Sequence, residues 1–199
     1  TSIPRAGEIM DRHLITPKEA SKCLKFEFTE AQLQELSVIP WSEEELLECR
    51  DTHILVPGYP LTIEEMIDRA PADTFYYKKS DYGQQKYAIE ERVACRWYLI
   101  RKSILPDSIS KSFDQQLTLL SVKEEVPRSC EMAYALVIYH LVRGQKLFSD
   151  KYARCSDLSS GGYRVYVFFF FFDGRLVIGY WRDEAGDNFG LASSRKFQK

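Results

Sequence analysis

Five consecutive phenylalanines, Phe168 to Phe172, stand in the stretch YRVYVFFFFFDGRLVIGYWRDEAG. No other feature of the chain restricts its fold so strongly. Successive side chains of an extended chain point to opposite faces. If Phe169 and Phe171 enter a core, then Phe168, Phe170 and Phe172 leave it on the other side, together with Tyr166. Ile178 and Tyr180 on the following apolar run extend that second surface. A strand buried on both faces reads as the same unbroken run, so both arrangements satisfy the pattern. Asp173-Gly174 between two apolar runs signals a hairpin. A contiguous aromatic patch left in water is rare unless something binds it.

The rest of the chain frames this segment as part of a soluble-type domain. Its 199 residues are 45% hydrophobic and carry a net charge of -2, which suits one domain and gives no electrostatic case for nucleic acid or an anionic membrane. No apolar run approaches the roughly 20 residues that span a bilayer, so membrane insertion is not expected. Arg5, Glu8, Asp11 and Arg12 do not read as an apolar signal region. The five cysteines, Cys23, Cys49, Cys95, Cys130 and Cys155, are widely spaced and include no CxxC pair. They read as free thiols in a reducing compartment rather than as a disulfide framework or a zinc site.

Local signals predict an α-rich first part and a β-rich end. Thr16 to Leu36 reads as mostly helical. Ser42-x-x-Glu45 and Thr62-x-x-Glu65 are capping boxes that open helices, with an extended run at His53–Val56 between them. Residues 75–90 scatter Phe75, Tyr76, Tyr77, Tyr82 and Tyr87 among polar residues, as an irregular segment or hairpin would. Arg92 to Arg101 reads as a buried strand and Ser112 to Leu120 as a helix. The longest helix follows Pro127, repeats Met132, Ala133, Leu136, Val137, His140 and Leu141 at helical spacing, and meets a capping glycine at Gly144. From Tyr152 onward, strands are expected at Tyr152–Cys155, Tyr163–Phe172, Arg175–Trp181 and Phe189–Arg195. The fold class is therefore α+β, with helices first and a small antiparallel sheet after them.

Catalytic and ligand-binding motifs are sparse. HExxH, GxSxG, P-loop and GxGxxG patterns are absent, and no cofactor or metal ligand set is expected. His13 and His53 have no metal-ligand spacing, and His140 falls on an apolar helix face as a core histidine would. Asp183, Glu184 and Asp187 have the chemistry for calcium, but a solvated turn is the simpler reading. Cys130 and Cys155 are the only candidate redox pair, with Arg128 and Arg154 near them in sequence. The aromatic segment is the best functional candidate, and its chemistry suits recognition. Rigid rings anchor interface centres, and Arg175 or Arg182 adds a fork for carboxylates.

Two flanking segments carry a resemblance. Val126–Ala135 (VPRSCEMAYA), opening the long helix, resembles the helix entry of C-type lectin-fold proteins of the formylglycine-generating type. Asn188–Arg195 (NFGLASSR) resembles the final strand of that fold. With an aromatic-rich segment between them, the combination is similar to the variable proteins of diversity-generating retroelements, and most like archaeal-virus and small-genome microbial members. In that family, mutagenesis at adenines converts Asn-type codons to Tyr, Phe, Ser, Asp, Ile or Arg but not to Trp, Lys or Glu. The bacterial members' glycine- and Trp-rich framework is thin here.

The resemblance covers roughly residues 92–199. It implies a single C-type lectin-like domain over 1–199, with 1–90 a helical extension packed on it and 160–195 the variable region. It makes Tyr163, Tyr166, Phe168, Phe170, Phe172, Arg175, Ile178, Tyr180, Arg182 and Asp187 the diversified positions. Trp181 and Glu184 become framework, and Val165, Val167, Val177 and Trp181 fill the core. The implied activity is a non-enzymatic display protein that binds a protein or surface ligand. Alternatives are a viral structural or receptor-binding protein whose aromatic patch is a subunit interface, and an enzyme of the formylglycine-generating type using Cys130 and Cys155.

Overall fold

Helix starts are written locally. In the computed structural model, which describes residues 1–197, α1 (Ile3–Met10) begins at Ser2 with Pro4 in its first turn. Reciprocal side-chain caps open α2 (Pro17–Leu24), α3 (Glu30–Glu35), α4 (Glu43–Cys49) and α5 (Ile63–Arg69). In each, a Ser or Thr hydroxyl accepts an N–H three residues on, and the Glu or Gln there returns a bond, satisfying two otherwise orphaned donors. Residues 75–90, read as irregular, hold two single-turn helices, α6 (Lys79–Tyr82) and α7 (Lys86–Ile89). A further box at Ser112 opens α8 (Phe113–Leu117).

The expected helix over Thr16–Leu36 is instead two helices. Lys25 adopts a left-handed conformation (φ 54°) that ends α2, and Phe26 and Phe28 turn inward to pack with Tyr59. The longest helix, α9 (Ser129–Arg143), is buried all round from Ser129 to Tyr139, and Gly144 caps it at φ 71°. It is thus a central helix rather than a surface one. Its first N–H is bonded by the carboxylate of Asp157, a residue with no recognisable role in the sequence.

The strands are β1 (His53–Pro57), β2 (Trp97–Arg101), β3 (Glu124–Glu125), β4 (Tyr152–Leu158), β5 (Arg164–Phe169), β6 (Leu176–Trp181), β7 (Phe189–Leu191) and β8 (Ser194–Arg195). The expected small antiparallel sheet is, among the described residues, two four-stranded sheets ordered β1-β2-β8-β3 and β6-β5-β4-β7. One pairing, β4 with β7, is parallel. The strand expected at Phe189–Arg195 divides at Ala192-Ser193, so its halves join different sheets and tie them together.

The first sheet is buried on both faces. Ile54, Val56, Tyr98 and Ile100 enter the main core with α9, while Leu55, Trp97 and Leu99 face a second core with Met10, Leu36, Trp41 and Leu46. Residues 1–90 supply β1 and the helices over that second core. The second sheet lies against the other side of α9, through Val165, Val167, Phe169, Leu176 and Ile178.

Candidate functional site

Cross-strand register assigns each ring of the aromatic segment to a face. Val165 lies opposite Tyr180, Val167 opposite Ile178 and Phe169 opposite Leu176. Directly opposed residues share a face, so these six turn toward α9, where Phe169 meets the His140 ring edge-on. Arg164, Tyr166 and Phe168 turn the other way, opposite Trp181, Gly179 and Val177. Tyr166 and Phe168 do leave the α9 face as the alternation requires. Ile178 and Tyr180 do not extend their surface; they lie on the α9 side, and Ile178 is buried.

The outward face is covered largely by its own rings. Tyr152 of β4 stacks on Tyr166 (5.2 Å between centroids) and touches Phe168 (4.1 Å), and Phe189 closes over both tyrosines. Phe168 is therefore buried, and Tyr166 half-buried, with burial raising its hydroxyl pKa to about 12. The Tyr166 ring reaches across β6 over Gly179, where a Cβ would stand 2.6 Å from its hydroxyl oxygen. A side chain at 179 would displace the ring. Val165, Val167 and Val177 are buried as expected.

Beyond Phe169 the chain leaves the sheet, and the core assignment of Phe171 fails with it. Phe170 and Arg175 form the last hairpin pair, and Gly174 at φ 70° bonds back to the Phe170 carbonyl. Phe171 and Phe172 occupy the turn, where no partner strand or helix lies over them, and are 66% and 78% exposed. Their rings pack together at 4.1 Å and against half-buried Phe170. Arg175 bonds Asp173 and lies over the Tyr76 ring, 5.0 Å from its centroid.

The other end of the hairpin opens a second aromatic surface. Tyr163 and Tyr180 stack in parallel at 6.2 Å and are each 42% exposed. With Trp181 and Arg182 they line a hollow of about 270 Å³. Trp181, expected in the core, is 58% exposed. It sits at the last register of β6 opposite Arg164, whose guanidinium lies over Phe113 and bonds Asp183, leaving the indole no cover. Arg182 and Asp187 are exposed, but Asp187 is turned toward Ser110.

Three contributions were not legible in the sequence. Tyr76 and Tyr77 come from 75–90, because Thr74 and Tyr76 bond both outward groups of Leu176 on the β6 edge. They join Tyr166, Phe168 and Phe170 around a smaller hollow of about 180 Å³. Arg154 is fully buried on β4 and donates to the carbonyls of Lys111, Arg182 and Glu184, with no carboxylate in contact. It fixes the path of the chain leaving β6, and burial lowers its pKa despite nearby Asp183. The only sequence signal was a charged residue within an apolar strand.

Reactive groups are weakly placed for chemistry. Cys130 and Cys155 are buried; desolvation pushes the Cys130 thiol up to about 12 against the pull of Arg128, and also holds the Cys155 thiol well above its ordinary value. The carboxylates of Asp183, Glu184 and Asp187 go separately to Arg164, Arg182 and Ser110. Among the described residues no group of three His, Cys, Asp or Glu is placed to hold a metal ion, and all five cysteines are free. His140 is half-buried with its Nδ1 unpartnered. No protein-family model, curated protein or solved structure matches the chain.

Proposed function

We propose that this chain is a ligand-recognition protein of C-type lectin-like fold, whose β5–β6 hairpin carries a surface diversified by a retroelement. The observation that carries this reading is the open aromatic hollow of Tyr163, Tyr180, Trp181 and Arg182 at the end of a sheet otherwise sealed against α9. Its rings are stacked and half-exposed, so they offer apolar area at little conformational cost. Arg182 beside them supplies a donor fork for a carboxylate. The exposed pair Phe171–Phe172 offers a second anchor at the hairpin tip. Both lie where side-chain replacement leaves the backbone ladder intact, as a diversified surface requires.

The reading has two tests. Beside the coding gene there should be a reverse transcriptase and a near-copy of the final coding segment differing mainly at adenines; a neighbourhood without them removes the retroelement part. A library varied at Tyr163, Phe171, Phe172, Tyr180 and Arg182 should stay mostly folded and yield binders to unrelated protein targets. A library that unfolds, or stays folded and yields none, removes the recognition part. The exposed Phe171–Phe172 tip also fits a subunit interface, for which sedimentation would show a stable oligomer lost in the Phe171→Ser, Phe172→Ser double variant.

A further inference from the structure

Two arginines of the β5–β6 hairpin are each held by an aspartate and a ring. Arg175 bonds Asp173 and stands 5.0 Å from the centre of the Tyr76 ring. Arg164 bonds Asp183 and stands 3.7 Å from the centre of the Phe113 ring. A guanidinium suits both partners, because its fork matches a carboxylate and its plane stacks on an aromatic face.

One hollow beside the hairpin has the same surroundings without the arginine. It measures about 320 Å³ and lies between β6 and residues 77–87, with Tyr77, Asp81, Tyr82, Tyr87, Tyr180 and Trp181 among its walls. The Tyr82 and Tyr87 rings stand at 89° to each other, and Tyr77 stands at 74° to Tyr82, so the ring faces point in different directions. Tyr82 and Tyr87 are buried, whereas Tyr77, Tyr180 and Trp181 are 38%, 42% and 58% exposed and Asp81 is exposed with them. Asp81 accepts the Lys78 N–H through Oδ2 and, among the described residues, has no ion pair. Among the described residues no lysine, arginine or histidine lines the hollow.

We infer that this hollow takes the guanidinium of an arginine side chain carried by a partner protein. The chemistry is complementary: an exposed carboxylate and electron-rich rings on this chain, a planar cation on the other. The hairpin's own arginines show the same pairing satisfied from within the molecule. A lysine ammonium has no plane to stack, and a quaternary ammonium has no N–H to give Asp81. An anionic side chain would meet the carboxylate with no cation beside it. This rests on the recognition reading above and names the chemistry its partner brings. Tyr77, Asp81, Tyr82 and Tyr87 lie outside residues 160–195, so on that reading the arginine preference stays fixed while the neighbouring hollow of Tyr163 and Arg182 varies.

The test uses short linear peptides selected from a randomised library against the whole protein at low salt. Selected peptides should share an arginine. Citrulline in its place, which keeps the shape and removes the charge, should weaken binding about tenfold, and lysine in its place about threefold. Asp81→Asn, which keeps an oxygen for the Lys78 N–H, should weaken binding about fivefold. Tyr77→Leu and Trp181→Leu, both at exposed positions, should each weaken it about threefold. The inference is overturned by a selection that yields no peptide, by peptides without a shared arginine, by citrulline that binds as arginine does, or by an Asp81→Asn protein with unchanged affinity. Peptides lost in Tyr163→Ala and Arg182→Ala but indifferent to Asp81→Asn would overturn it and leave the recognition surface standing.

Discussion

The two sheets use similar apolar runs for opposite ends. The first, built on His53–Pro57 and Trp97–Arg101, is covered on both faces, by α9 on one side and the N-terminal helices on the other. The second is covered by α9 on one face; on the other, α8 and its flanks cover only the β4–β7 side, through Phe113, Leu105 and Leu191, while Tyr152, Tyr166, Phe168 and Phe189 cover one another and the ends stay open. The runs WYLI and VYVFFFFF are both uninterrupted by a charged residue. What separates them is whether a second layer covers the whole face. Without one, large rings lie edge-to-face across the strands, and whatever extends past the last paired residue meets water.

Substitutions in the two regions should differ in size. Trp97 is buried and donates its indole N–H to the Leu36 carbonyl, so Trp97→Ala should cost about 3–5 kcal/mol in chemical denaturation. Trp181→Ala should cost less than about 1 kcal/mol. Equal losses would mean that the indole at 181 is covered and that the two sheets do not differ as described. Next comes Arg154→Met, which leaves three loop carbonyls without their donor and should cost about 2–4 kcal/mol. It should also raise hydrogen exchange at residues 182–185; exchange unchanged there would show that the buried guanidinium does not hold that loop.

The covered and open rings of the hairpin sharpen the contrast. Tyr166→Ala should cost about 2–3 kcal/mol because its ring packs on Tyr152 and Phe189. Tyr180→Ala should stay within about 1 kcal/mol. Melting curves that rank them the other way would reverse the assignment of faces.

Acid titration probes the first sheet. Burial, then Arg101 and Arg195, lowers the His53 pKa from 6.5 to about 3. The unfolded chain binds that proton near its ordinary value, so unfolding takes up a proton within this window. His53 therefore contributes stability that is full above about pH 6.5 and lost as pH falls toward 3, by at most about 1.4 kcal/mol per pH unit. His53→Gln should flatten that slope, and an unchanged slope would rule the histidine out as its source. The smallest effect belongs to the tip, where Phe171→Ser with Phe172→Ser should change stability by about 0.5 kcal/mol or less. It should also increase solubility, measured by precipitation with ammonium sulfate.

How far the sequence could be read depended on how local the deciding interaction was. The capping boxes at Ser42 and Thr62, the glycine end of α9 and the Asp173-Gly174 hairpin depend on residues three or four apart, and each appears where its signal stands. The outward turn of Tyr166 and Phe168 follows from alternation along one strand. Ile178 and Tyr180 were misassigned because their face depends on the register across the hairpin. A four-residue turn pairs Phe170 with Arg175 and sets that register.

The family resemblance implies a core place for Trp181, yet whether an indole is covered is decided by what packs over it. Tyr76, Tyr77 and Tyr82 join the surface from nearly a hundred residues away in the sequence, through the pairing of Thr74 and Tyr76 with Leu176.

The chain by itself determined the α+β class, the helix starts after Ser42, Thr62 and Ser112, both ends of α9, the hairpin, and the presence of a ring-rich segment that no ordinary one-sided strand explains. Only the tertiary structure decided which rings are sealed and which stand in water, and that a buried arginine holds the exit from β6. The physical reason is range. Hydrogen-bonded caps and turns close within a few residues, whereas burial and sheet pairing are settled by contacts between segments that meet only when the chain has folded.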